Sequence, residues 1–122
     1  MRERRGSVGS AAVVVASDRW IRKRERENEC AWERGLGSYS EPSIYPNRDP
    51  LDGLCVRESA KKAYRMAGIS EPRKEIDVVE LYNAASFLQM IWSEALLLCE
   101  QGKGGELLLS GATDSEGDIP IN

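Results

Sequence analysis

No histidine occurs anywhere in the chain. Histidine is the usual general base near neutral pH, so neither a Ser-His-Asp nor a Cys-His mechanism can be completed from these residues alone. The same absence counts against a zinc site. Cysteine is scarce: Cys30, Cys55 and Cys99 are odd in number, widely spaced and outside any C-x-x-C arrangement. Reduced, partly buried thiols in a cytoplasmic protein are the simplest reading. Long apolar runs are missing too. The longest, Ala11–Ala16, falls far short of the ~20 residues that a membrane span needs. Met1–Arg5 is basic, but the apolar stretch after it is too short for a signal peptide. No internal repeat is visible.

Neither sign of charge dominates. The net charge is -3, with 30% charged and 41% hydrophobic residues. That balance is globular rather than disordered, and it provides no global basic field for nucleic acid. A length of 122 residues suits one modest domain. The charge is uneven: Met1–Arg34 holds nine basic and six acidic residues, and Leu98–Asn122 one basic and five acidic. Arg22, Lys23, Arg24 and Arg26 alternate with Glu25, Glu27 and Glu29. This pattern suits a solvated helix face better than a nucleic-acid arm.

Periodicity predicts alternating strands and helices. Gly9–Ser17 is a run of small and β-branched residues, and Val13, Val14 and Val15 fit a strand buried on both faces. Ser17 is placed to cap a helix from Asp18 to about Glu29 that turns Trp20 and Ile21 inward. Cys30–Gly37 suggests a strand with partial alternation. Ser38–Leu54, with Pro42, Pro46, Pro50 and Gly53, is a loop long enough to be functional or packed on a partner. Val56–Ala67 is a helix stopped by Gly68. Glu75–Tyr82 is a strand candidate, and Ala84–Glu100, with its apolar stripe, a helix ended by Gly102. Gln101–Gly105 is a turn, and Glu106–Leu109 a short strand. Such alternation implies an α/β layered fold.

The order of these segments carries a resemblance. Gly9–Ser17 (GSAAVVVAS) resembles the G-A-A-A-V-V-L-A-S strand of thiolases. Ala60–Ile69 and Glu71–Tyr82 resemble the helix and strand leading to the thiolase active-site loop. Glu94–Gly105 (EALLLCEQGKGG) is similar to E-x-L-G-L-C-E-x-G-E-G-G, and Asp118–Asn122 to the start of L-P-V-N-P-S-G-G. The wording is that of the archaeal and bacterial acetyl-CoA acetyltransferase-like group, the lipid-transfer or sterol-carrier type of thiolase. The collinear matches run from Gly9 to Asn122.

The resemblance implies a partial thiolase-like α/β fold, a layered mixed sheet packed with helices and incomplete at both ends. Residues 1–29 correspond to the end of the N-terminal half, 30–55 to a connecting strand and Pro-rich loop, and 56–122 to the start of the C-terminal half. In intact thiolases a cysteine nucleophile carries the acyl group as a thioester, a G-H-P histidine activates it, and an N-E-A-F or H-D-x-F loop holds the thioester oxygen. Only the third part falls within this chain, at Glu80–Ser86. Tyr82 stands at the Asn or His position, Asn83 at the acidic position, Ala84 at the Ala or Cys position and Ala85 at the Phe position. Three of the four depart from either pattern. Tyrosine can donate a hydrogen bond to a thioester oxygen but cannot replace histidine as a base, since its reference pKa is about 10.

The family implies acyl-CoA as substrate, Claisen chemistry, no metal or other cofactor, and a homodimer. Some relatives work with a small zinc-bearing partner and a hydroxymethylglutaryl-CoA synthase. The nucleophile and the G-H-P histidine are expected beyond the two ends of this sequence, so the isolated chain is expected to be inactive. The alternative is a non-catalytic subunit that binds acyl chains or scaffolds a partner, which the altered Tyr82–Ala85 loop favours.

Other signals have simpler explanations. Cys99 reads as a small core residue late in a helix. Cys55 opens a helix, where a thiolate could be stabilised, yet no partner base can be named for it. Gly102–Gly105 lacks the phosphate-loop spacing, and Lys103 reads as solvated. Asp114, Glu116 and Asp118 lack the calcium-loop pattern. Trp20, Trp32 and Trp92 are too dispersed for a base-stacking platform and read as core or interface.

Overall fold

The computed structural model describes residues 9–41, 49 and 51–121. The chain divides into two units, Met1–Trp32 and Glu33–Asn122. Part of the long loop expected at Ser38–Leu54 lies outside the described residues.

In the first unit, α1 spans Asp18–Arg22. Ser17 caps it as its sequence position predicts: the backbone is extended and Oγ accepts from the Trp20 N–H at 3.3 Å. The helix is much shorter than expected. Glu25 turns left-handed, at φ 53, and a single 3-10 turn follows at Glu27–Glu29. Alternating charge supports a solvated face but supplies no apolar stripe to hold a longer helix down. Trp20 is not turned inward; it is half-exposed, and the Arg24 guanidinium lies 3.9 Å from its ring centroid. Arg22 lies 5.7 Å from the Trp32 ring centroid.

The doubly buried strand at Val13–Val15 is corrected. These three residues are 85%, 94% and 88% exposed, and their backbone joins no ladder among the described residues. A strand buried on both faces needs neighbours on each edge and layers above and below, and the described residues of this unit provide neither.

The second unit is built on α2, Leu54–Ala67. It starts after Gly53, which takes a left-handed φ of 59, and stops at Gly68, left-handed at φ 78. Residues 33–37, the part of the expected Cys30–Gly37 strand that belongs to this unit, run without ladder pairing, and Gly35 and Gly37 lie against α2. A Cβ on Gly35 would overlap the Ala63 carbonyl, and one on Gly37 the Ser59 carbonyl, so only glycine permits this approach. Lys62 fixes the same segment by donating to the Ser38 carbonyl at 2.7 Å.

The strand expected at Glu75–Tyr82 is not formed: Glu75 ends a helical turn, and residues 76–82 pair only at Val79. Pro72–Glu75 forms α3, a single turn with proline at its start. The Glu75 carboxylate accepts from the Glu71 and Ser70 N–H groups, and these two bonds hold its pKa below the ordinary value. Beyond it, the one β-pairing among the described residues is an isolated parallel bridge, Val79 to Ile121, with the Val79 N–H donating to the Pro120 carbonyl at 3.0 Å. The expected layered sheet is therefore not formed among the described residues, which are organised by helices.

The helix expected at Ala84–Glu100 occupies only Leu88–Ala95, as α4. Leu97 takes a left-handed φ of 60, and the Leu98 N–H reaches back to the Ser93 carbonyl at 3.0 Å. This reversal drives Leu98, 1% exposed, into the core, a burial that contributes about 2 kcal/mol. Cys99 consequently lies past the helix, not on its late face. Glu106–Leu109, expected as a strand, belongs to helix α5, Gly104–Leu109. Gly104 is buried against the Met90 carbonyl, and its N–H donates to the Glu94 carboxylate at 2.9 Å, which sets α5 on α4. The core is small: Ala60, Ala95, Leu98 and Ile119, with Ser93 and Thr113.

Candidate functional site

The segment from Glu80 to Phe87 connects the Val79 bridge to α4 and carries the expected site residues. It has no regular structure until the Leu88 N–H donates to the Ala85 carbonyl at 2.9 Å and the helix begins. Tyr82 is 82% exposed, so its hydroxyl is presented to the outside. Asn83 is half-buried; its Nδ2 donates to Oε1 of Gln89, in the first turn of α4, at 3.3 Å. Ala84 is exposed, and its N–H donates to the Tyr82 carbonyl at 3.2 Å. Chemically the loop offers a phenol and a carboxamide. Both can hydrogen-bond a carbonyl oxygen, and neither is a nucleophile or a base at neutral pH.

Nothing in the sequence spacing marks Gln89 as a partner of Asn83. Gln89 lines a polar cleft of about 610 Å³ with Thr113, Asp114 and Ser115. Its carbonyl accepts from the Ser93 hydroxyl at 2.7 Å, and Ser93 is fully buried.

The cysteines belong to other surroundings. The clefts that hold Cys30, Cys55 and Cys99 are lined by residues other than Tyr82, Asn83 and Ala84. Cys55 lies in the first turn of α2, and its thiol donates to the Glu41 carboxylate, which also accepts from the Cys55 N–H. No local pattern reveals that pairing, since the two residues are 14 positions apart. Cys30 donates to the Glu27 carbonyl. Cys99 lines a cleft of about 600 Å³ with Arg57, Arg73, Ile91, Glu94 and Leu98. Burial raises its pKa, the Glu94 charge raises it further, and Arg73 opposes both. That is the reverse of an activated thiolate. Arg57 is engaged by the Asp52 carboxylate through two bonds of 2.9 and 3.0 Å.

Lys103 pairs with Glu106 at 2.6 Å, and Gly102 is a left-handed turn before α5 rather than a phosphate cradle. Among the described residues, no group of three or more histidine, cysteine or acidic residues is placed to hold a metal, and no helix is long and apolar enough to cross a membrane.

The chain is 27% identical over 120 residues to sterol carrier protein 2 of Rattus norvegicus, covering 95% of this chain and 22% of that protein. It is 30% identical over 116 residues to a benzoylsuccinyl-CoA thiolase subunit of Thauera aromatica, covering 93% of this chain and 29% of the subunit. It is 34% identical over 80 residues to an acetyl-CoA acetyltransferase of Methanothermobacter thermautotrophicus, covering 66% of this chain and 20% of that enzyme. The chain thus spans about a fifth of the length of the sterol carrier proteins it matches. The model of the family described as thiolase C-terminal domain-like matches residues 37–122, which include the Tyr82 loop and all of α2 to α5, and the chain belongs to that family.

Proposed function

We propose that this chain supplies the thioester-positioning loop of a thiolase-like acyl-CoA acyltransferase and does not itself carry out the acyl transfer. One observation carries the reading: the family match covers the Tyr82–Ala85 loop, while this stretch of sequence holds no histidine to activate a nucleophile beside it. The ligand is an acyl-CoA thioester. The Tyr82 hydroxyl donates to its carbonyl oxygen, the Asn83 carboxamide helps orient it, and Ala84 leaves room beside it. The nucleophile and base come from outside this stretch of sequence, in a homodimeric acyltransferase working by Claisen chemistry through a cysteine thioester.

The test is CoA-dependent cleavage of acetoacetyl-CoA by the purified chain. No thioester loss above the buffer rate is expected, and measurable cleavage by the pure chain overturns the proposal. Acetyl-CoA titrated into the same sample should perturb Tyr82 and Asn83, and Tyr82→Phe should weaken that response.

A second reading, a non-catalytic subunit that binds acyl chains or scaffolds a partner, is favoured by the departures at Tyr82, Asn83 and Ala85. The coding sequence on either side separates the two. A cysteine segment upstream together with P-S-G-G and G-H-P downstream, in frame, supports the acyltransferase. Their absence supports the binding subunit.

A further inference from the structure

We propose that Gln89 is a positioning residue, which holds Asn83 and so sets how the loop presents Tyr82 to a carbonyl oxygen. The proposal rests on the thiolase-loop reading above, but its structural part is testable alone. The loop is fixed at its upstream end by Val79, whose N–H donates to the Pro120 carbonyl and which bridges to Ile121. It is fixed at its downstream end by α4, where the buried Ser93 hydroxyl bonds the Gln89 carbonyl and so holds Gln89 in register. Between these anchors, the Gln89 side chain reaches back across the turn and accepts from Asn83 Nδ2 at 3.3 Å.

The chemistry at the two positions is matched. The family pattern has an acidic residue where Asn83 stands. A carboxylate cannot donate, whereas a carboxamide donates through nitrogen and accepts through oxygen. With Gln89 Oε1 accepting, the Asn83 amide nitrogen is turned toward α4, and Asn83 Oδ1 is buried as well, so this side chain anchors the loop. The pair carries no charge, so it fixes the loop by hydrogen bonding and takes no part in proton transfer, and the exposed Tyr82 hydroxyl is the group left to meet a carbonyl oxygen.

The experiment is NMR on the full 122-residue chain, following the Asn83 side-chain amide protons and the backbone amides of Tyr82, Asn83 and Ala84. Gln89→Ala should speed exchange of the Asn83 amide protons by about fivefold, as the loss of one modest hydrogen bond implies. Gln89→Glu retains an acceptor, now a charged one, so the Asn83 protons should exchange no faster than in the wild type. The amides of Ile91 and Ser93 report whether α4 is intact. If the alanine variant loses α4, the glutamate variant decides, and an Asn83 exchange rate faster than wild type there overturns the assignment. An unchanged rate in a folded Gln89→Ala protein overturns it as well.

Acetyl-CoA is then titrated into each protein. Shifts at Tyr82–Ala84 in the wild type, weakened by Gln89→Ala and recovered by Gln89→Glu, support positioning for a thioester. Equal responses in all three remove Gln89 from that role. No response in the wild type sinks the thiolase-loop reading itself, while the exchange rates still decide the Asn83–Gln89 contact.

Discussion

The Tyr64 hydroxyl donates to the carbonyl of Leu96 at 2.9 Å and ties α2 to the residue that closes α4. The ring is half-buried, and burial raises the Tyr64 pKa above its ordinary value. Tyr64→Phe keeps the ring and leaves a partly buried carbonyl unbonded, so it should cost about 1–2 kcal/mol in chemical denaturation. The pH dependence follows from the direction of the shift. Tyr64 stays protonated when folded at a pH where the unfolded tyrosine ionises. Its contribution is therefore complete below the unfolded pKa of about 10 and is lost as pH rises through the higher folded value. Stability should fall on that alkaline side in the wild type, and this part of the fall should be missing in Tyr64→Phe. Parallel alkaline profiles for the two proteins count against the assignment.

The approach of the 33–39 segment to α2 makes a second prediction. Gly37→Ala places a methyl group on the Ser59 carbonyl, where backbone rather than a yielding side chain must move. Overpacking of this kind costs about 1–3 kcal/mol. The segment should lift from α2, exposing the Lys62–Ser38 contact to exchange. Gly68→Ala meets no neighbouring atom, and its cost comes only from the left-handed φ of 78. Equal losses and equal exchange patterns in the two variants would falsify the steric account.

Local signals and tertiary signals separate cleanly in this molecule. The Ser17 cap and the Gly68 stop were legible because a hydroxyl before a helix and a glycine after one act within a few residues. The end of α4 was not. The apolar stripe runs on to Leu98 and Cys99, and only the packing of Leu98 into the core explains why Leu97 turns left-handed. Glu106–Leu109 is too short for its apolar run to distinguish strand from helix; docking on α4 through Glu94 and Gly104 decides for the helix. The resemblance pointed to Tyr82, Asn83 and Ala84 as loop positions, whereas the Asn83–Gln89 and Cys55–Glu41 contacts are visible only in the fold.

Cys99 offers a test of the electrostatics around α4. Burial first and Glu94 second raise its pKa. Glu94→Gln removes the charge and keeps an oxygen to accept from the Gly104 N–H, so α5 should remain docked. The midpoint of Cys99 alkylation against pH should move down in this variant. It should remain above that of an unfolded control, because burial still acts. A midpoint unchanged by the substitution removes Glu94 as a cause.

The last prediction concerns Val13, Val14 and Val15. Three consecutive β-branched residues, each at least 85% exposed and outside any ladder among the described residues, present both apolar surface and unfilled strand edges. Water solvates such a segment poorly, and another strand satisfies its backbone and its side chains together. The purified chain should therefore associate with rising concentration, as read by light scattering. Val14→Lys puts a charge at the centre of the run, where pairing would bury it at a cost, and should shift the mass toward monomer. Leu109 is the control, since it is 90% exposed but belongs to helix α5 rather than to an extended segment, and Leu109→Lys should change the mass little. A wild-type chain that stays monodisperse and melts cooperatively at all concentrations rules out the strand-edge argument, and an equal effect of both lysines assigns the association to apolar area alone.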